Sequence, residues 1–385
     1  MTKTINIEIQ QLDNITSVNF LGGVDNGHGG WAGSSRSSGF YNDGGHPNDA
    51  GQIEMYYTIP PSLFDALALG KQQPRNRTRD PDGVDSSRLT AGSTAVGGWV
   101  FAPKTGDTMH SFTVSLEIRA HGNVKLCSIN TTATPTALPL IDIFSKAGER
   151  RLVSINRNTG FLAYVDADGV GNGETSSWLL EGSHDLLDGE WHMVTVTHHW
   201  AREETLIYID GSLLVAGTGG AIGSPGIVER LAPLNISLLT SSLGDGWASR
   251  LDDFMQCRDW MIYRAGLNED EVRFLWQNKA VLKGSLEIFA PLHSASPGLN
   301  VAQTLSEMRP FSSHATGTKN WTTSRLRNES ETGLACDDEA GSSPSPSTGT
   351  SHPAKPTGPS QSSSPSSSQS AGSSPSVNSG SDDSP

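Results

Sequence analysis

Cysteine is almost missing from this chain. Cys127, Cys257 and Cys336 are the 3 cysteines among 385 residues, so one bridge at most can form. Neither a disulfide framework nor a zinc site built on short Cys spacings is encoded. Charge is sparse, at 18% of residues, and its balance is acidic, with a net charge of −14. That excludes a nucleic-acid binder of the usual kind, which needs clustered Lys and Arg against phosphates. Apolar runs are short. None approaches the ~18 residues of a membrane-spanning helix, and MTKTINIEIQQLDNITSVNF holds no apolar leader segment. The expected compartment is therefore cytoplasmic, or extracellular if a leader precedes this sequence or export is unconventional. Catalytic signatures are missing too: there is no G-x-S-x-G elbow, P-loop or dinucleotide fingerprint.

Glycine and proline are plentiful, at 42 and 21 residues. Such punctuation fits many short strands joined by turns, so the predicted class is all-β, an antiparallel sandwich. Phe112, Val114, Leu116 and Ile118 alternate with Thr113, Ser115, Glu117 and Arg119, the period of a strand with one apolar and one polar face. Ile141 to Lys146, Leu152 to Asn156 and Phe161 to Asp166 read as three more strands. Asp188 to Ala216 reads as strand, loop, strand and turn, with Asp210-Gly211 suited to the positive φ values of a type I′ hairpin. Arg258 to Tyr263 is a further strand. A short helix should follow, because Asn268 and Glu271 can form a capping box and Leu267 can staple onto Val272.

The run DGEWHMVTVTHHWAREETLIYIDGSLLVA resembles the laminin-G-like jelly rolls of the concanavalin A-like lectin and glucanase superfamily, whose signature is "DGxWHxVxVT … LYxDGxLV". The resemblance implies a jelly roll, a core role for Trp191, and a binding edge or concave face for a glycan or protein partner. It also implies an N-terminal strand pairing back beside a late one. Ile53 to Ile59 is assigned as an early strand and Ser285 to Pro291 as the late partner. Relatives often place a calcium-holding Asp where this chain has Arg258, so a cation at that position is doubtful. The Glu-x-Asp-x-Glu strand of the family's retaining glucanases is missing.

Three segments follow from these readings. Residues 1–95 are a glycine-rich stretch contributing early strands, 96–335 the jelly-roll core with its return strand, and 336–385 a disordered Ser/Pro-rich tail with too few apolar side chains to fold. Asn14, Asn76, Asn130, Asn235, Asn320 and Asn328 begin N-x-S/T triplets, which would suit a secreted glycoprotein but which a chain rich in Ser and Thr also produces by chance.

The candidate site residues each carry two readings. Asp166, Asp168, Asn172 and Glu174, with a glycine at the sixth position, partly imitate a calcium loop; the same residues also suit a polar hairpin connection. Trp200 can stack on a sugar ring while His198 and His199 donate hydrogen bonds, or the three can simply end a strand. Glu117 and Arg119 can line a ligand-binding concave face or a solvated one. The leading functional expectation is a non-catalytic recognition module for a glycan or protein partner, a lectin-type role. The alternative is an enzyme on this sandwich, converting a small molecule or cleaving a polysaccharide, with His28, Asp43, His46 and Asp49 as its candidate groups.

Overall fold

The computed structural model describes residues 2–310 apart from 13–14, 28–29, 33–38, 44, 75–97, 105–106, 122–136, 157–158, 167–176, 215–225, 239–254 and 293–297. The predicted Ser/Pro-rich tail lies outside them. Two short helices, α1 (Thr2–Gln11) and α2 (Leu21–Val24), come first, followed by a ribbon of β1 (Tyr41–Asp43) and β2 (His46–Pro47) and by α3 (Asp49–Tyr57) and α4 (Leu63–Ala68). The strands are β3 (Trp99–Phe101), β4 (Phe112–His121), β5 (Ala137–Ser145), β6 (Arg150–Asn156), β7 (Phe161–Asp166), β8 (Ser177–Asp185), β9 (Asp188–His199), β10 (Glu204–Ile209), β11 (Ser212–Leu214), β12 (Ile227–Val228), β13 (Pro233–Leu238) and β14 (Met255–Tyr263). Helix α5 (Glu269–Asn278), β15 (Leu286–Ala290) and β16 (Met308–Pro310) complete the described chain.

Among the described residues, β3 to β16 form two antiparallel sheets of 7 strands each. One runs β11-β10-β9-β4-β14-β15, with β12 also on β10, and the other runs β16-β3-β13-β5-β6-β7-β8. Between them lies the main core. Phe112, Val114, Leu116 and Ile118 of β4 point into it with no exposed surface, beside Val194 and Val196 of the neighbouring β9 and packed with Ile141, Ile143, Val153 and Ile155 from the other sheet. Alternation in the sequence therefore placed the inner face correctly. The Asp210-Gly211 turn closes β10 onto β11 with φ of 53° and 75°, the positive values a type I′ hairpin needs.

Three expectations fail, each for a physical reason. Ile53 to Ile59 is not a strand. Asn48 accepts the Gly51 N–H at 2.9 Å and Asp49 occupies the first turn, so a capped helix starts where the aromatic content suggested strand. The described part of residues 1–95 adds no strand to either sandwich sheet, and Leu286–Ala290 pairs with β14 instead. Pairing of an early with a late strand does occur, but between β3 and β16, with Met308 opposite Phe101. Trp191 is not core: it lies half-buried on the other face of β9 with the Arg258 guanidinium 3.9 Å from its ring centre.

The polar face of β4 is not open to solvent. Thr113 and Ser115 have no exposed surface and Glu117 is 1% exposed. A second core covers that face. Met193, Tyr208, Met261 and Tyr263 of the sheet pack with Val272 and Leu275 of α5, with Val281, Leu282 and Ala302, and with Ile7 of α1. The hydroxyl of Thr113 donates to the Ala265 carbonyl at 2.8 Å and accepts from Leu267 N–H at 2.9 Å. Small polar residues on this face thus serve buried hydrogen bonds, which buried polar groups require.

Candidate functional site

Glu117 and Arg119 occupy neighbouring outward positions on β4 beneath this second layer or at its margin. The Glu117 carboxylate accepts from Arg258 Nε at 2.7 Å and has Lys279 Nζ at 3.5 Å. Lys279 ends α5 in a left-handed conformation, with its ammonium above the Trp276 ring. Glu117 is thus a buried anion held between two of the protein's own cations, the arrangement that offsets its desolvation. Arg119 donates from Nε to the Gly189 carbonyl at 2.7 Å. Each of these two predicted ligand contacts has an internal partner.

At the end of β9, strand alternation sends His198 to the inner face and His199 to the outer. His198 has no exposed surface and His199 is 2% exposed. Leu231 N–H donates to His198 Nε2 at 3.1 Å, so the ring proton sits on Nδ1 and points at Thr205 Oγ1, 2.9 Å away. Burial, reinforced by His110, Arg202 and Arg230, pushes its pKa down to about 3. Burial, then the charge of Arg202, likewise holds His199 well below the usual range. Both rings belong to the interior rather than to a ligand surface.

Trp200 is different. It opens a single 3-10 turn, Trp200–Arg202, and its backbone N–H donates to Ser111 Oγ at 3.1 Å. The half-buried indole stacks on His110 with ring centres 4.3 Å apart and 17° between planes. Tyr57 covers the same imidazole at 4.0 Å, and the 68% exposed Tyr56 continues the row at 6.0 Å from Tyr57. Glu54 of α3 fixes His110, both carboxylate oxygens lying 3.0 Å from Nδ1. Beyond Trp200, the Arg230 guanidinium stands 5.3 Å from its ring centre and pairs with Glu203 at 2.5 Å. An aromatic row of Tyr56, Tyr57, His110 and Trp200, ending in a charged pair, therefore lines one edge. Only Trp200 was marked by the sequence pattern. Tyr56, Tyr57 and Glu54 were hidden because their helix read as a strand, and His110 and Arg230 lie in irregular segments without periodicity.

Of the predicted calcium ligands, Asp166 accepts from Arg151 NH1 at 3.0 Å and is about one-third exposed. Arg151 also reaches Glu229 at 2.8 Å, and Glu229 accepts the Tyr164 hydroxyl at 2.6 Å. The predicted ligands Asp168, Asn172 and Glu174 lie outside the described residues. Among the described residues, the candidate enzyme groups Asp43, His46 and Asp49 lie on the β1–β2 ribbon and the first turn of α3 rather than on β4. Asp43 and His46 hold each other at 2.9 Å on the exposed ribbon, Asp49 starts α3, and His28 lies outside the described residues.

No family model matches the chain, and no curated protein matches it. Solved structures with a similar backbone include the binding domain of Paraclostridial Mosquitocidal Protein 1, at 15% identity and TM-score 0.33, covering 46% of this chain and 40% of that one. The SAP-like pentraxin of Limulus polyphemus shows 10% identity and TM-score 0.34 over 59% of this chain and 90% of its own. Domains LG4-5 of the mouse laminin alpha1 chain show 13% identity and TM-score 0.30 over 49% and 44%.

Proposed function

We propose that this protein is a non-catalytic recognition module that binds a glycan at the aromatic edge built by Tyr56, Tyr57, His110 and Trp200. The observation that carries the reading is the row itself, rings in contact at 4.0 to 6.0 Å with Arg230 and Glu203 at its end. Apolar sugar faces pack on such rings, while a guanidinium and a carboxylate meet the ring hydroxyls. The acidic chain disfavours phosphate-rich partners. The laminin-G-like signature over β9 to β11 points the same way. The enzyme alternative draws no support from Asp43 and His46, whose side chains are paired with each other.

A glycan array followed by titration tests the reading. Binding in the millimolar to micromolar range is expected, about −4 to −8 kcal/mol. Tyr56→Ala, at an exposed position, should weaken it about tenfold, and Trp200→Ala should abolish it. Unchanged affinity in both variants, or an array without any hit, contradicts the proposal.

A further inference from the structure

Among the described residues, a group of metal-ligating side chains lies at the far end of β9 from that edge. His184 near the end of β8, His192 of β9 and Asp210 of the β10–β11 turn place one ligating atom each within 4.8 Å of one another. His192 is 5% exposed, and both of its nitrogens meet carboxylates: Nδ1 is 2.8 Å from Asp210 Oδ2 and Nε2 is 3.0 Å from Asp188 Oδ1. The carboxylates are themselves fixed. Asp210 Oδ1 accepts Met193 N–H at 2.8 Å, and Asp188 Oδ1 accepts Glu190 N–H at 2.8 Å.

Pinning a hairpin would account for the Asp188–His192–Asp210 chain alone. It does not account for His184, which approaches His192 edge-on with ring centres 5.1 Å apart and remains exposed to solvent. Two imidazoles beside a pair of carboxylates offer the nitrogen and oxygen donors that a borderline divalent metal takes.

We propose that His184, His192 Nδ1 and Asp210 Oδ2 bind a borderline divalent transition metal of the zinc class, with Asp188 orienting His192 from behind. Two donors at ~2.0–2.1 Å in tetrahedral geometry stand ~3.3 Å apart. The His192–Asp210 contact therefore opens by only about half an ångström to admit the ion. The proton shared along that contact leaves to solvent as the metal takes its place. Asp188 keeps Nε2, giving the carboxylate–histidine–metal arrangement that fixes ring orientation in such sites. Two imidazoles and one carboxylate match zinc rather than calcium, which takes six to eight oxygens. The exposed His184 side supplies the entry path and leaves the fourth position to water.

Titration calorimetry with zinc chloride on the untagged full chain tests this, repeated with cobalt(II) read by its visible absorption. One ion per chain is expected, together with a tetrahedral cobalt spectrum. His184→Ala, exposed and outside both cores, should retain the melting temperature and lose at least tenfold in affinity. Asp210→Asn should lose as much, while His46→Ala on the distant ribbon should change nothing. Absence of zinc binding in the unaltered chain, or equal binding in His184→Ala, overturns the assignment.

Discussion

At the scale of single residues, the most consequential is His198. Its neutral form is enforced from two sides, because Nε2 must accept from Leu231 N–H and the ring is sealed in the core. Its pKa falls from the model-compound value of 6.5 to about 3 in the folded protein. The unfolded chain binds a proton below pH ~6.5 that the folded chain refuses until pH ~3. Stability from this group is therefore complete above pH 6.5 and is lost as pH falls toward 3, by up to ~1.4 kcal/mol per pH unit. His198→Gln keeps a donor and an acceptor but cannot titrate. Denaturant unfolding at pH 7 and pH 5 should show the unaltered chain losing about 2 kcal/mol more than the variant over that interval. Parallel losses would contradict the buried neutral ring. That His198 and His199 face opposite ways was legible from strand alternation. That both end up buried was not, because the segments around Leu231 and Ala265-Gly266 that cover them lie far along the chain.

At the scale of elements, α5 shows how far local rules reach. Its capping box was legible: Asn268 Oδ1 accepts from Asp270 and Glu271 N–H at 3.0 and 3.2 Å, and Glu271 Oε2 accepts from Asn268 N–H at 2.9 Å. Leu267 and Val272 are both buried, as a staple requires. What the local pattern could not show is the other oxygen of Glu271. It accepts side-chain amides from Asn6 at 2.8 Å, Asn19 at 3.0 Å and Gln10 at 3.4 Å, partners more than 250 residues away. Burial pushes this carboxyl up to about 7 even though these N–H donors favour its charged form. One side chain thus caps α5 and fastens α1 and the start of α2 over the sheet. Glu271→Gln would turn an amide NH2 toward those donors, at a cost of ~1–3 kcal/mol, whereas Asn268→Ala should cost about 1 kcal/mol. Unfolding by denaturant at pH 8, where the carboxylate prevails, measures both. A smaller loss for Glu271→Gln than for Asn268→Ala would contradict the tethering role. The misread α3 is the counterpart: Ile53, Tyr56 and Tyr57 carry strand-forming chemistry, but the Asn48 cap and docking of Glu54 on His110 decide in favour of helix.

At the scale of the whole molecule, the two-layer sandwich was readable because apolar alternation in β4 and the β9–β10 hairpin fixes which side faces the core. The third layer was not. A polar strand face looks the same in sequence whether it meets water or buried partners, and here Thr113 meets Ala265 and Leu267, Ser115 meets Thr195, and Glu117 meets Lys279. This closure moves the proposed recognition surface from the sheet to the Trp200 edge, so it is the claim on which the account turns. Thiol labelling of Ser115→Cys in the native protein, with the site mapped by peptide mass, tests it most directly. Ser115 has no exposed surface and hydrogen-bonds Thr195 at 2.9 Å, so the new thiol should react only as fast as the chain unfolds. Labelling under native conditions at the rate of a free surface thiol would show an open face and contradict the account.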